Sequence, residues 1–232
     1  AAFGIDASLP AFDEMRPDVG LPPGSNRITL AITVYFLGMA GGQIVYGPLS
    51  DRFGRMATLR VGMAIYAVGA AGSMLATDFG FLLGSRLVWG LGASAASLMN
   101  LAILRDLYSG TRMARMMSLV TAVFLAGPVV TPLAAEGILR AASWRWIYAC
   151  GLVLAVAIVT WSLRFGETLH PDNRRPLRVG PTVDAFRQVV TCRRTVLYAA
   201  TLLFVDGAFL IFLGSTQQVF DVIYGRADQF AV

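Results

Sequence analysis

Gly47-Pro48-Leu49-Ser50-Asp51-Arg52-Phe53-Gly54-Arg55-Met56 is a short charged turn set between two apolar runs. The run before it, 26–49, and the run after it, 57–76, each supply about the 20 residues that a helix needs to cross a hydrocarbon core of about 30 Å. Each run holds a single charge, Arg27 or Arg60, whereas the turn between them holds Asp51, Arg52 and Arg55. Charge confined so tightly between apolar flanks marks a place where a chain leaves a bilayer and re-enters it.

The same alternation continues outward. Further apolar runs cover 79–104, 113–139, 144–165 and 196–220, and a shorter one, 1–12, opens the chain. Lipid offers no hydrogen-bond partners to an open backbone, so each run is expected to be a helix. The fold class is therefore all-α and polytopic. Of the 232 residues, 56% are hydrophobic and only 14% charged, against roughly 25% charged in an ordinary soluble domain. The net charge is +5, every Lys/Arg position is arginine, and the arginines, Arg86 apart, fall near the ends of the runs or between them instead of forming one patch, which argues against a nucleic-acid partner. Cys150 and Cys192 stand far apart in unlike settings, so neither a disulfide framework nor a metal site follows. With no nucleophile–base pair, ligand cluster or phosphate loop, no enzyme, metal or cofactor is expected.

Two stretches read as connections. Residues 13–24 hold Pro17, Gly20, Pro22, Pro23 and Gly24, all helix breakers, and are expected to form an external loop, with Ser25 or Asn26 capping the next helix. Residues 167–194 hold three prolines and six arginines and read as a linker, with an amphipathic turn around 183–190 suited to a membrane surface. The expected organisation is 1–166 as one transmembrane half, 167–195 as a cytoplasmic linker and 196–232 as the start of a second half. Arginine placement sets the orientation. Arg52, Arg55 and Arg60, then Arg105, Arg112 and Arg115, then the linker arginines lie on one side, which is expected to be cytoplasmic. The N-terminus would lie there too. The chain opens on Ala1 without a methionine, and it is expected to be a piece of a longer protein with a truncated first helix.

The turn quoted above resembles the major facilitator superfamily signature G-x-L-a-D-r-x-G-r-k, with Gly47, Leu49, Asp51, Arg52, Gly54 and Arg55 matching and Met56 replacing the last basic position. Arg60, one turn on, is a candidate to replace that charge. The resemblance implies a six-helix half-bundle plus a seventh helix, cut from a twelve-helix transporter. It also implies a conformational latch. Gly47 and Gly54 permit a tight turn and close helix approach. Asp51 faces the positive end of a helix dipole in the absent C-terminal half. Arg55 reaches Asp106 at the end of the fourth span.

Further stretches narrow the branch. Leu83 to Ala93 resembles the Arg-plus-glycine element of the fourth helix, and Gly4-Ile5-Asp6-Ala7-Ser8-Leu9-Pro10 resembles the D-x-x-x-P element of drug exporters. Gly127-Pro128, with Pro132, is similar to the centre of the antiporter signature and is expected to kink the fifth helix. Leu104-Arg105-Asp106-Leu107-Tyr108, Trp144-Arg145-Trp146-Ile147-Tyr148 and Glu167-Thr168-Leu169 are similar to the bicyclomycin-resistance branch of drug:proton antiporters.

An arginine inside a membrane is costly and is expected to have a partner. Arg86 lies about 10 Å from the outer end of its helix and Asp6 about 9 Å from the outer end of its own, at 1.5 Å per residue, so Asp6 is the expected partner. Asp6, Arg86 and the deeper Asp206 are the proton-coupling candidates. Gly38, Gly42, Gly90 and Gly92 are expected to serve close helix packing. The expected function is proton-coupled export of small, partly apolar compounds by a monomer in a bacterial inner membrane. The alternatives are a facilitator of another substrate class and a non-transporting sensor or scaffold.

Overall fold

In the computed structural model, residues 2–174, 179–205 and 207–208 are described, and every regular element among them is helical. The chain divides into two units, Ala1–Pro176 and Leu177–Val232. The first unit holds α1 (Ala2–Asp6), α2 (Phe12–Asp18), α3 (Leu30–Phe53), α4 (Arg55–Met74), α5 (Phe79–Leu107), α6 (Gly110–Leu139) and α7 (Arg145–Ser162). The second holds α8 (Val179–Thr191) and a helical stretch, 193–205. Among the described residues, four helical segments are long and apolar enough to cross a membrane: Asn26–Phe53, Phe79–Leu107, Gly110–Leu139 and Arg145–Ser162. The last expected run, 196–220, is helical as far as 205, and its residues beyond 208 lie outside the described ones.

Side chains at the helix starts explain where the spans begin. Ser25 Oγ accepts from Arg27 N at 3.4 Å and opens a 3-10 turn, Asn26–Thr29, that leads into α3. Asp78 Oδ1 accepts from Phe81 N at 2.8 Å and opens α5. In both cases a short polar side chain satisfies a backbone donor that the first turn leaves without a partner.

α5 forms the centre of the first unit, between α3 and α4, and α7 packs against α4. Small residues set these crossings. A Cβ at Gly38 would strike the backbone of Leu87, and one at Gly90 would strike that of Tyr35, so α3 and α5 touch main chain to main chain. The expected packing role of this glycine stripe holds. The core is aromatic: Trp89 meets Tyr35, Tyr66 and Tyr148 edge-on, with ring centroids 5.9, 5.4 and 5.4 Å away. Apolar side chains such as Leu37, Val68 and Val153 point outward instead, each about two-thirds exposed, as suits a surface solvated by acyl chains.

The N-terminal segment differs from expectation. Residues 1–12 do not form one helix: α1 stops at Asp6, and Ser8, Leu9, Ala11 and Phe12 N–H groups bond to carbonyls three residues back. Pro10 has no N–H for an α-helical bond and crowds the preceding turn. Residues 13–24 are not all loop either, because α2 occupies the first part. Phe12, Met15 and Val19 recur at helical spacing and are buried, and that burial outweighs Pro17 in so short a helix.

Candidate functional sites at the two ends of the bundle

The charged turn joins α3 to α4 at a single residue, Gly54, with φ 100° and ψ 161°. Only glycine adopts that backbone region readily. The next residue, Arg55, bridges two carboxylates: Nε donates to Asp106 Oδ2 at 3.1 Å, and one terminal nitrogen donates to Asp51 Oδ1 and to Ser50 Oγ, both at 2.7 Å. The guanidinium is mostly buried, at 13% exposure, so it is screened less than a surface pair. The expected reach from Arg55 to Asp106 is present.

A fourth member of this cluster went unrecognised in the sequence. Glu167, beyond α7, turns its carboxylate onto the start of α4. Oε1 accepts from Arg55 N at 2.7 Å, and Oε2 accepts from Met56 N at 3.2 Å. The same Oε1 accepts from Thr168 N and Leu169 N, each at 3.1 Å. A carboxylate at a helix N-terminus meets unpaired donors and the positive end of the dipole together. The carboxylate fills the space beside Gly54, where a Cβ would lie 2.6 Å from Glu167 Cδ.

Two expectations around the turn, for Gly47 and Arg60, are corrected. Gly47 makes no close helix approach among the described residues; a Cβ there would meet open space. It borders a cleft of about 220 Å³ shared with Asp51, Leu98, Arg105 and Asp106. Arg52 joins no ion pair among the described residues and lies over the ring of Phe53 instead. Arg60 does not replace the missing basic residue. Its guanidinium donates to Ser162 O at 2.8 Å and Ser162 Oγ at 3.3 Å, closing the C-terminal end of α7.

At the opposite end Arg86 is fully buried. It does reach the first helical segment, but not through Asp6. One terminal nitrogen donates to Gly4 O at 2.7 Å; the other donates to Ser8 Oγ at 2.7 Å and to the Tyr148 hydroxyl. The guanidinium carbon lies 5.2 Å from the centroid of Trp89 and 4.8 Å from that of Tyr148. Tyr148 in turn donates to Met15 Sδ at 3.4 Å. Because α1 ends at Asp6, Gly4 O lacks an α-helical partner, and the N–H of Ser8 bonds to Ile5 O instead. Arg86 takes that carbonyl at the negative end of the helix, where Ser8 Oγ also donates to it at 3.4 Å. The Asp6 carboxylate is half-buried and forms no ion pair or side-chain hydrogen bond among the described residues.

Beyond Arg86 a second cluster ties α2 to α7. Asp18 Oδ2 accepts from Trp144 Nε1 at 2.9 Å and from Arg145 at 2.6 Å, and Arg145 also donates to Ala76 O at 3.3 Å. The Trp144 hydrogen bond, with that of Arg145, holds the Asp18 carboxyl below the usual carboxylate range.

The sequence model of the Major Facilitator Superfamily matches residues 1–224. The chain belongs to that superfamily. Its curated relatives include a bicyclomycin resistance protein homolog of Haemophilus influenzae, 32% identical over 98% of this chain and 57% of that protein. A chloramphenicol resistance protein of Pseudomonas aeruginosa is 31% identical over 91% of this chain and 49% of its own length. The chain thus spans about half the length of the curated relatives it matches. The crystal structure of a D-xylose–proton symporter shares the fold, with a TM-score of 0.63 at 16% identity over 94% of this chain and 55% of that one.

Gly127, Pro128 and Pro132 stand apart from both clusters. α6 runs unbroken through Gly127, Pro128 and Pro132, and its buried residues are Thr131, Pro132 and Ala135. Its main neighbour is α1. Asp206 lies outside the described residues. Sequence reasoning missed Glu167, Tyr148, Met15 and Asp18 as parts of these clusters. For Glu167 and Tyr148 a signal existed, since both stand in stretches quoted for their resemblance to the bicyclomycin-resistance branch.

Proposed function

We propose that this chain forms the N-terminal half, 1–166, the linker, 167–195, and the start of the C-terminal half, 196–232, of a proton-coupled exporter of small, partly apolar compounds. The observation that carries the reading is the separation of Arg86 from Asp6. The two terminal nitrogens of Arg86 are taken by Gly4, Ser8 and Tyr148, which leaves a carboxylate in the same helical segment with no ion pair or side-chain hydrogen bond among the described residues. A permanent ion pair would hold that carboxylate ionised. An unengaged one in an apolar bundle is placed to exchange a proton for a substrate contact. The similarity to bicyclomycin and chloramphenicol resistance proteins supports export of drug-like compounds. Asp206 is the alternative carrier.

The Asp51–Arg55–Asp106 cluster then acts as the cytoplasmic latch. The cleft beside Gly47 receives a helix end of the second half, whose positive dipole meets Asp51. The protein works as a monomer in the bacterial inner membrane with its N-terminus in the cytoplasm. One charge crossing 100 mV supplies about 2.3 kcal/mol, enough to drive a useful gradient.

Inverted vesicles carrying the full-length protein test this. With the interior acidified, adding bicyclomycin or chloramphenicol should dissipate the pH gradient, read as recovery of acridine-dye fluorescence. Uptake of either compound that continues unchanged after nigericin collapses the gradient would contradict proton coupling.

A further inference from the structure

α8 (Val179–Thr191) carries an apolar face that stays exposed among the described residues of its own unit. Val183, Phe186, Val189 and Val190 recur at helical spacing and are 56, 59, 54 and 54% exposed. Asp184 and Gln188 occupy the other face, and Arg187 stands at the border between the two. Arg193 and Arg194 follow one residue beyond the helix and are also exposed. In this linker, 167–194, six arginines outnumber Glu167, Asp172 and Asp184. A helix with an apolar face and basic flanks is built for the boundary between headgroups and acyl chains. Its position in the chain agrees. α7, which is long and apolar enough to span, ends at Ser162 before it, and an apolar helical stretch, 193–205, follows directly. Both ends of the linker are therefore tied to segments that belong in the bilayer.

We propose that α8 is a lipid-binding element that lies in the membrane surface, with Val183, Phe186 and Val190 among the acyl chains and Arg187, Arg193 and Arg194 on anionic headgroups. Two weak attachments act together here, apolar insertion and basic charge, as reversible surface anchoring requires. Each arginine near an anionic surface strengthens attachment about fivefold. The linker between the halves thereby becomes sensitive to the lipid composition around it. The inference stands apart from the direction of transport and from the identity of the substrate.

Nitroxide labels on the full-length protein test it, with every native cysteine, including Cys150 and Cys192, replaced by serine. Labels are placed one at a time at Val183, Phe186 and Val190, and at Asp184 and Gln188. The protein is reconstituted in phosphatidylcholine with or without phosphatidylglycerol. Collision with oxygen, which concentrates in acyl chains, is compared with collision with a water-soluble nickel chelate. The first three labels should favour oxygen and the last two nickel, and the contrast should weaken several-fold when phosphatidylglycerol is omitted. Nickel preference at all five positions would place α8 in water and overturn the proposal. Shielding of the apolar-face labels from both reagents would overturn it in favour of docking on the protein itself. Equal depth in both lipid mixtures would remove the anionic headgroup as the ligand.

Discussion

Arg86→Ala in the full-length protein is expected to cost about 3 kcal/mol or more of stability, a melting point lower by several degrees. The substitution removes three hydrogen bonds made by a fully buried cation. Gly4 O, Ser8 Oγ and the Tyr148 hydroxyl would be left without that donor, in a place where water does not replace it readily. A void beneath Trp89 adds to the cost. Arg86→Lys keeps the charge but loses the planar fork, so it should fall between the two. Asp6→Asn should barely move the melting point, because its carboxylate has no partner among the described residues to lose. Double-mutant cycles on the purified protein sharpen the contrast. Arg86→Lys with Tyr148→Phe should couple by about 1 kcal/mol, as residues in one network do. Arg86→Lys with Asp6→Asn should couple by less. The reverse order would reinstate Asp6 as the partner.

Gly54→Ala should be the most damaging single change in the charged turn. An alanine held at φ 100° and ψ 161° costs about 1–3 kcal/mol in backbone strain alone. Its methyl group would also push Glu167 off the start of α4, releasing the N–H groups of Arg55 and Met56. Arg55 would shift with them and loosen its hold on Asp106 across the bundle. Transport should fall at least tenfold while the protein still reaches the membrane. Gly47→Ala provides the comparison. A Cβ there meets open space in this half, and alanine is the better helix former by about 1 kcal/mol, so stability should hold or rise. If the cleft receives a helix end of the second half, Gly47→Ala should slow transport all the same. Wild-type transport from both variants would remove the turn from the mechanism.

The contrast between these two ends shows what the residue order carries. Span boundaries follow from apolar length and from caps at Ser25 and Asp78, which act over three residues or fewer. The Arg55–Asp106 contact was legible because the motif and the helix ends place both groups at one level. Arg86 was harder. Depth along two helices correctly brought it to the first segment, but a search for a carboxylate passed over a backbone carbonyl. That carbonyl became available only because Pro10 ends α1 early, a local event with a distant consequence. Glu167 escaped for the opposite reason. Its target is the start of a helix 112 residues away in sequence, a site with no side-chain signature at all. The helix α2 was hidden by Pro17 and by the prolines and glycines that follow it, since burial of Phe12 and Met15 depends on surfaces that other helices provide.

The central claim is that Asp6 exchanges its proton for substrate while Arg86 remains with Gly4, Ser8 and Tyr148. Proton release on substrate binding measures it directly, using purified full-length protein in weakly buffered detergent solution with a pH indicator. The substrate is one identified in the vesicle assay. Wild-type protein should release protons as substrate is added, and Asp6→Asn should bind the same substrate and release none. Undiminished release from Asp6→Asn, with binding intact, would contradict the account and move proton exchange to another carboxylate, with Asp206 the next to test.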